Sequence, residues 1–226
     1  MTTARMIDAL IFDMDGTLVD SMPYHEKAWD LMLPELGVAV DRFEFFTWSA
    51  GLTNREIFPR LLGRAVSAEE LAELAGRKEA LYRECYREVM TPMPGAVDLL
   101  TRARSAGMKT ALGTAAPPEN IELVIDGLDL REHFPVIVGG ADVKNGKPDP
   151  EIFLRCAEHM AIAPARCLVF EDTPAGIEAA YRAGMQCIAI TTTLNEAQVK
   201  ALPNTQHLRA VAPHYDAAVV ASSLGW

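Results

Sequence analysis

Residues 7–21 constrain the fold of this chain more than any other stretch, because an apolar run there ends in two carboxylates. Apolar residues without regular alternation are typical of a strand that is buried on both faces of a parallel sheet. Side chains two positions apart in an extended segment share a side, so we expect Asp13 and Asp15 to point into one space. Ligands of open α/β sheets bind beyond the carboxyl ends of the strands. A plain turn is the alternative for the letters Asp-x-Asp-Gly taken alone.

Three further motifs follow in order. Thr114 ends a second apolar run, where a hydroxyl and backbone N–H groups can bind a phosphate or only cap a helix. Lys147 precedes a proline that restricts its backbone, although a solvated lysine is the alternative and Lys144 is a nearby competitor. Glu171 and Asp172 end another apolar run, and Mg²⁺ prefers carboxylate oxygen. Capping of the next helix is the alternative for that last pair.

The order of apolar and helical segments along the chain predicts an α/β fold with a doubly wound parallel sheet and an inserted α-helical cap domain. After Pro92 the chain alternates helices with short apolar runs, which we place at 110–112, 136–138, 167–170 and 187–190. Between residues 22 and 92 we expect three helices, at 23–35, at 54–62 and from Ser67 onward. These expectations give a core domain at residues 1–20 and 93–226 and a cap domain at residues 21–92. Residues 202–213 read as a loop before a final helix.

Composition narrows the classes of function. The 226 residues carry a net charge of −10, which argues against nucleic acid and against an anionic membrane surface as partners. No stretch approaches the roughly 20 apolar residues of a membrane span. The four cysteines lack CxxC spacing, so reduced thiols and a cytoplasmic location are expected. We expect a monomer.

The four motifs in this order resemble the haloacid-dehalogenase-like hydrolase superfamily, and the resemblance covers nearly the whole chain. The first motif of that superfamily is an apolar strand followed by DxDGT, as at Asp13 to Thr17. Lys-Pro-Asp-Pro matches the third motif and selects Lys147. The resemblance implies a Rossmann-like core, Mg²⁺ as cofactor, and metal ligation by Asp13, Asp15, Asp172 and Glu171.

A formal charge count assigns roles to the two aspartates. The four acids of the motifs, Lys147 and one Mg²⁺ leave a single negative charge, which protonation of Asp15 removes. A near-neutral site can accept a phosphate dianion. Asp13 is then the nucleophile that forms an aspartyl-phosphate, and Asp15 is the general acid and base. Thr114 and Lys147 complete the predicted catalytic set, because they bind and stabilise the transferring group.

Within the superfamily the chain is most similar to the β-phosphoglucomutase-like subgroup, which also contains sugar-phosphate phosphatases. This resemblance implies that His25, Lys78 and Ala115 contact the substrate. From the sequence alone, an ordinary residue on a helix surface is an equally good interpretation of His25. For Lys78 the sequence alone favours a solvated lysine.

Two departures weaken the mutase interpretation. Counting from Gly51, the position of an arginine that contacts the mutase substrate holds Asn54, and Arg55 follows one residue later. One residue along a helix turns a side chain by about 100°, so we name both Asn54 and Arg55 as candidate substrate contacts. Residues 116–118, Ala-Pro-Pro, replace polar residues of the mutase.

We therefore expect a Mg²⁺-dependent phosphatase that acts on small phosphorylated metabolites, with sugar phosphates as the substrate class. The β-phosphoglucomutase reaction is the alternative. A receiver-like phosphoacceptor or an inactive binding relative are the alternatives that are not enzymes. Receiver modules are roughly half this length and lack an inserted cap, and the chain lacks no core motif residue.

Overall fold

The computed structural model describes residues 7–49, 52–216 and 218–226. At its centre lies a six-stranded sheet with the strand order β3-β2-β1-β4-β5-β6, in which every neighbouring pair is parallel. The strands are β1 (Ala9–Phe12), β2 (Lys109–Gly113), β3 (Val136–Val138), β4 (Cys167–Glu171), β5 (Gln186–Ile190) and β6 (Leu208–Ala212). Because β1 lies between β2 and β4, where the strand order reverses, its carboxyl end opens at the topological switch point.

Ten α-helices surround this sheet in the described ranges. Four lie between β1 and β2 and form what we call the helical cap: α1 (Met22–Leu36), α2 (Arg42–Ser49), α3 (Asn54–Leu62) and α4 (Ala68–Tyr86). The others are α5 (Ala96–Ser105), α6 (Pro118–Gly127), α7 (Glu151–Met160), α8 (Pro174–Arg182), α9 (Glu196–Lys200) and α10 (Ala218–Leu224). Each of these helices is too short or too polar to serve as a membrane span.

Alternate side chains of β1 enter two separate apolar clusters. Leu10 and Phe12 pack in the cluster that contains residues of α5, α6 and α10, whereas Ala9 and Ile11 pack in the cluster that contains residues of α7, α8 and α9. The strand is therefore covered on both faces, as its unalternating apolar sequence predicts. The predicted fold class, a doubly wound parallel sheet with a helical insertion, is confirmed.

Two elements differ from the sequence prediction. Residues 208–212 form the edge strand β6, not part of a loop, and they pair with β5 through an irregular register at Cys187/Ile188. Its short mixed sequence carries little strand signal, so the pairing with β5 decides its conformation. Helix α2 was not expected, since its aromatic residues are weak helix formers. Phe45 of α2 packs edge to face on Trp29 of α1 at 5.1 Å, and this contact stabilises the helix.

The two connections between the cap and the sheet lie side by side. Val19 forms an antiparallel bridge with Pro92, and the N–H of Met93 donates to the carbonyl of Leu18 at 2.9 Å. The helical cap thus leaves and re-enters the sheet at one place, at the carboxyl end of β1. The domain boundaries at residues 20/21 and 92/93 stay a prediction.

Candidate active site

A single lysine joins the ends of two neighbouring strands. Asp13 follows β1 directly, and its N–H donates to the carbonyl of Phe170 in β4 at 3.1 Å. The Nζ atom of Lys147 lies 2.5 Å from Oδ1 of Asp13 and 2.7 Å from Oε1 of Glu171, and all three side chains are buried. The structure therefore brings the first, third and fourth motifs together at the carboxyl edge of the sheet.

Three of the four predicted metal ligands cluster. Carboxylate oxygens of Asp13, Glu171 and Asp172 lie within 4.8 Å of one another, and all three residues are buried. Burial raises the pKa of Asp13 well above its usual range, with Lys147 acting against this and the two neighbouring acids adding to it. Burial and the charge of Glu171 raise the pKa of Asp172 to about 7. This oxygen donor set has more negative charge than Lys147 offsets, so it fits a hard divalent cation such as Mg²⁺.

The hydrogen bonds of Glu171 are already satisfied by protein groups. Its Oε2 atom accepts from the backbone N–H of Asp172 at 2.7 Å, from the N–H of Thr173 at 2.8 Å and from the hydroxyl of Thr173 at 3.0 Å. Its Oε1 atom accepts from Lys147. Gly176 leaves room for this carboxylate, because a Cβ at residue 176 would lie 1.7 Å from Oε1 of Glu171. Glu171 thus orients Lys147 and the turn after β4.

Asp172 is held from two other segments. Its Oδ1 atom accepts from the hydroxyl of Thr17 at 2.9 Å, and its Oδ2 atom accepts from the hydroxyl of Thr193. Gly16 approaches the same carboxylate closely: its φ is +78°, and a Cβ there would lie 2.2 Å from Oδ2 of Asp172. Glycine is required at residue 16 for both reasons.

The Asp15 carboxylate lies outside the cluster of Asp13, Glu171 and Asp172, and metal ligation by Asp15 stays a prediction. Oδ1 of Asp15 accepts from Ser21 at 2.5 Å and from Tyr82 at 3.2 Å, and it lies 3.2 Å from Nε2 of His25. The strand ends at Phe12 and a tight turn follows, so the rule for extended segments does not reach Asp15. The side chain faces the helical cap.

The formal charge count put a proton on Asp15, and the structure does not favour that proton. Burial acts to raise the pKa of this carboxyl, but the stronger combined effect of His25, Ser21 and Lys78 holds the pKa below its usual value. In the structure the carboxyls that favour a proton are Asp13 and Asp172. Burial is the main cause at both residues and the charge of Glu171 adds to it, whereas His25, Ser21 and Lys78 outweigh burial at Asp15.

Lys78 is buried, with only 4% of its surface exposed, which corrects the sequence-based expectation of a solvated lysine. Its Nζ atom lies 2.8 Å from Nδ1 of His25 and 2.9 Å from Oε1 of Glu79. An ammonium group can only donate, so Nδ1 of His25 accepts and the ring proton lies on Nε2, toward Asp15. The His25 ring also stacks on Tyr82 at 3.8 Å.

The two candidates at the start of α3 separate. Asn54 lines the cavity described below and donates from Nδ2 to Oε1 of Glu79 at 2.7 Å. Arg55 is exposed and does not line that cavity, so its predicted substrate contact is not reproduced. The turn of about 100° between consecutive helical residues accounts for the difference.

Thr114 is buried at the end of β2, and its hydroxyl accepts from the N–H of Ala116 at 3.1 Å. Thr114 and Ala115 both line the cavity. The hydroxyl therefore stabilises the local turn and also borders the space above the sheet edge. Helix α6 begins later, with Pro117 at its N-cap, so Thr114 does not cap that helix.

An open cavity of about 820 Å³ lies between the helical cap and the carboxyl edge of the sheet. The predicted site residues that line it are Asp13, Asp15, His25, Asn54, Lys78, Thr114, Ala115, Lys147 and Glu171. Asp172 lies just behind this wall and touches Thr193, which does line it. The arrangement places a buried carboxylate, a lysine and a second carboxylate around one volume large enough for a small metabolite.

The structure adds residues that the sequence analysis missed. Glu79 and Asn120 are buried in the cavity wall, and α2 contributes Arg42, Phe43 and Phe46. Buried charges on α4 carry no periodic signal, so Glu79 could not be singled out. Thr192 and Thr193 follow the carboxyl end of β5, and the rule applied to the other strand ends could have found them.

Comparisons with known proteins agree with this geometry. A family model described as haloacid dehalogenase-like hydrolase matches residues 7–184. The chain is 32% identical over 191 residues to a phosphorylated carbohydrates phosphatase of Thermotoga maritima, covering 84% of this chain and 88% of that protein. It is 33% identical over 181 residues to fructose-1-phosphate phosphatase YqaB of Escherichia coli, covering 80% and 95%.

Solved structures show the same fold. The crystal structure of β-phosphoglucomutase (pgmB) from Clostridium difficile matches with a TM-score of 0.82 and 27% identity, covering 97% of this chain and 98% of that one. The family match, the relatives and the cluster at the carboxyl edge of the sheet all lead to one assignment. This chain belongs to the haloacid dehalogenase-like hydrolase family.

Proposed function

We propose that this protein is a Mg²⁺-dependent phosphatase of small phosphorylated metabolites, with sugar phosphates as its substrate class. The observation that carries the proposal is the buried Asp13 carboxylate, held 2.5 Å from Lys147 at the wall of a cavity that Asp15 also lines. A carboxylate nucleophile needs a neighbouring cation and a separate group that transfers protons. Lys147 of the third motif and Asp15 of the first motif support these two roles.

Asp13 attacks phosphorus in the first half of the proposed reaction. The bond between phosphorus and the ester oxygen breaks, and an aspartyl-phosphate forms. The structure leaves Asp15 ionised, so Asp15 first takes up a proton from solvent. It gives this proton to the departing alkoxide and takes one back from the water that hydrolyses the intermediate. Lys147 binds the Asp13 carboxylate and offsets negative charge on the transferring group.

Asp13 and Asp172 would hold the Mg²⁺ ion directly. Glu171 stands behind them, because Lys147 and three donors of the turn already occupy its oxygens. When bound, the ion supplies positive charge that lowers the repulsion between the phosphate and these acids. Thr17 and Thr193 keep the Asp172 carboxylate in place for this role.

The names of the relatives support the substrate class, since two of them are phosphatases of phosphorylated carbohydrates and of fructose 1-phosphate. The four free cysteines suit the cytoplasmic location that we include in this proposal. Similarity to a β-phosphoglucomutase favours that reaction as the second candidate. Against it, Asn54 stands where the mutase arginine is expected, and Arg55 is exposed and does not line the cavity.

A screen of phosphorylated metabolites with purified protein tests the proposal. Phosphate release and isomer formation are measured together, with Mg²⁺ and with a chelator. We expect phosphate release that depends on Mg²⁺, at a turnover of roughly 1–10³ s⁻¹ for the best substrate. Conversion of β-glucose 1-phosphate to glucose 6-phosphate faster than phosphate release, with a bisphosphate primer, would favour the mutase instead.

A further inference from the structure

Every cationic side chain that lines the cavity already has an acidic partner, among the residues that the structure describes. Arg42 pairs with Asp30 and Glu26. Lys78 pairs with Glu79. Lys147 pairs with Asp13 and Glu171. His25 contacts Lys78 at Nδ1 and lies 3.2 Å from the Asp15 carboxylate at Nε2, so it has an acidic partner as well. A second anionic group, in addition to the phosphate transferred at Asp13, would therefore meet no uncompensated positive charge among the described residues that line the cavity.

Glu79 neutralises the cap side of the cavity. Its carboxylate is buried and lies 2.9 Å from the ammonium of Lys78. Burial acts to raise the pKa of Glu79, but Lys78, His25 and Asn54 together lower it to about 2, so the group is ionised at neutral pH. The charges of Glu79 and Lys78 cancel at this wall.

The Glu79 carboxylate also accepts hydrogen bonds from the two amide side chains beside it. Asn54 donates to Oε1 of Glu79 at 2.7 Å, and Asn120 donates from Nδ2 to Oε2 at 2.6 Å. The Oδ1 atom of Asn120 in turn accepts from Arg83 at 2.9 Å. Asn120 belongs to α6 beside the sheet, whereas the other residues belong to the helical cap. Glu79 thereby holds the cap wall in one arrangement against α6.

We propose that Glu79 determines specificity, restricting the substrates to monophosphates whose remaining part is uncharged and carries hydroxyl groups, and excluding compounds with a second phosphate. This inference rests on the proposed phosphatase function. A second phosphate dianion would meet an ionised carboxylate and a lysine whose charge is already compensated. Hydroxyl groups can instead bind the remaining N–H of Lys78 and the outer lone pairs of the carboxylate.

The first test compares two probes that share a hexose and differ in one phosphate: fructose 1-phosphate and fructose 1,6-bisphosphate. For the wild-type protein with Mg²⁺, we expect kcat/KM for the monophosphate to exceed that for the bisphosphate by about tenfold or more, the ratio expected for one unfavourable charge in a partly hydrated site. Calorimetric binding of both probes to the inactive Asp13→Asn variant should show the same preference without turnover. An equal or reversed binding preference would overturn the inference. Absence of phosphate release would overturn the proposed function alone.

The second test uses Glu79→Gln, with Glu73→Gln as the matched control. Both variants remove one negative charge from α4, but Glu73 is exposed and does not line the cavity. We expect Glu79→Gln to shift the selectivity ratio toward the bisphosphate by about tenfold, and Glu73→Gln to change it by less than about twofold. A purely structural role for Glu79 would lower binding of both probes alike and leave the ratio unchanged, which would refute the inference.

A second variant covers the case in which Glu79→Gln does not fold. Lys78→Met removes the ammonium from the wall and leaves the Glu79 carboxyl without its main compensating charge, so the ratio should stay with the monophosphate or move further toward it. Circular dichroism and thermal melting establish folding before either ratio is used. A shift of Lys78→Met toward the bisphosphate would contradict the charge argument.

Discussion

The Nζ atom of Lys147 lies 2.5 Å from Oδ1 of Asp13, although 134 positions separate the two residues in the sequence. The contact is buried, and Glu171 holds the lysine from its other side at 2.7 Å. Burial lowers the pKa of a lysine, but here the two carboxylates outweigh it and raise the pKa of Lys147. The lysine is therefore a fixed positive charge at the proposed nucleophile.

The first prediction concerns the nucleophile. Asp13→Asn replaces a carboxylate by an amide that neither attacks phosphorus nor binds a cation well, so phosphate release should fall to background. Acid quench of the working wild-type enzyme with labelled substrate should leave the label on Asp13. Asp98→Asn, at an exposed position on α5, is the control and should keep normal turnover. Near-normal kcat in folded Asp13→Asn would contradict the assignment.

The second prediction separates proton transfer from nucleophilic attack. Asp15→Asn should lower kcat by about 10²–10⁴-fold on a sugar phosphate, whose alkoxide is a poor leaving group. The loss on p-nitrophenyl phosphate should be much smaller, because that leaving group needs no proton. Steady-state kinetics on both substrates measures the difference. Equal losses would show that Asp15 acts through positioning of Ser21, Tyr82 and His25, which its carboxylate contacts.

The third prediction ranks the contributions of Asp172 and Glu171 to Mg²⁺ affinity. Asp172→Ala should weaken Mg²⁺ binding more than Glu171→Ala, because three protein donors already bind Oε2 of Glu171 and Lys147 binds its Oε1. Isothermal titration of Mg²⁺ into each variant gives the order. Glu171→Ala should in addition release Lys147 and lower kcat at saturating Mg²⁺. The reverse order of affinities would exchange the two roles.

The fourth prediction is a pH dependence of metal binding. In the metal-free site the pKa of Asp172 is raised to about 7 by burial and by Glu171. Mg²⁺ needs the ionised carboxylate, so a proton competes with the ion below that pH and is released on binding. The Mg²⁺ dissociation constant should fall as the pH rises toward 7, by about tenfold per pH unit for each proton displaced, and Asp13, whose pKa burial also raises, extends the fall to higher pH. A constant affinity between pH 5 and 7 would refute this.

The same raised pKa affects the stability of the metal-free protein. The native state keeps a proton on Asp172 at pH values where the unfolded chain has lost it. The free energy of unfolding from this group therefore decreases as the pH rises from about 4 through about 7, and added Mg²⁺ should restore it most at the upper end. Thermal melts across this range, with and without Mg²⁺, check the sign.

The fifth prediction concerns the turn after β4. Gly176→Ala would place a Cβ 1.7 Å from Oε1 of Glu171, so it should lower the free energy of unfolding by about 1–3 kcal/mol and reduce kcat through displacement of Lys147. Gly76→Ala is the control, since nothing lies within 4 Å of a Cβ there and residue 76 is inside α4. That variant should gain about 0.5–1 kcal/mol. Denaturant unfolding measures both.

The sequence by itself determined the sheet and the position of the site. Three of the motifs couple a buried apolar strand to polar residues at its carboxyl end, and parallel strands bring those ends to one edge. Asp13, Thr114 and Glu171 could therefore be placed together from local patterns, whereas Lys147 lies on a loop and was selected by the resemblance to the family. The edge strand β6 and helix α2 were not predicted from the sequence. Pairing with β5 stabilises the strand, and packing of Phe45 on Trp29 stabilises the helix.

Only the tertiary structure decided where the side chains of the cap wall point. Asp15 turns away from the metal cluster because the strand ends before it and Ser21, Tyr82 and His25 offer its carboxylate donors. Lys78 is buried because Glu79, a residue adjacent in sequence, compensates its charge once α4 packs against α1 and α6. Such compensation depends on distances of about 3 Å between groups on different elements, and a one-dimensional pattern does not encode those distances.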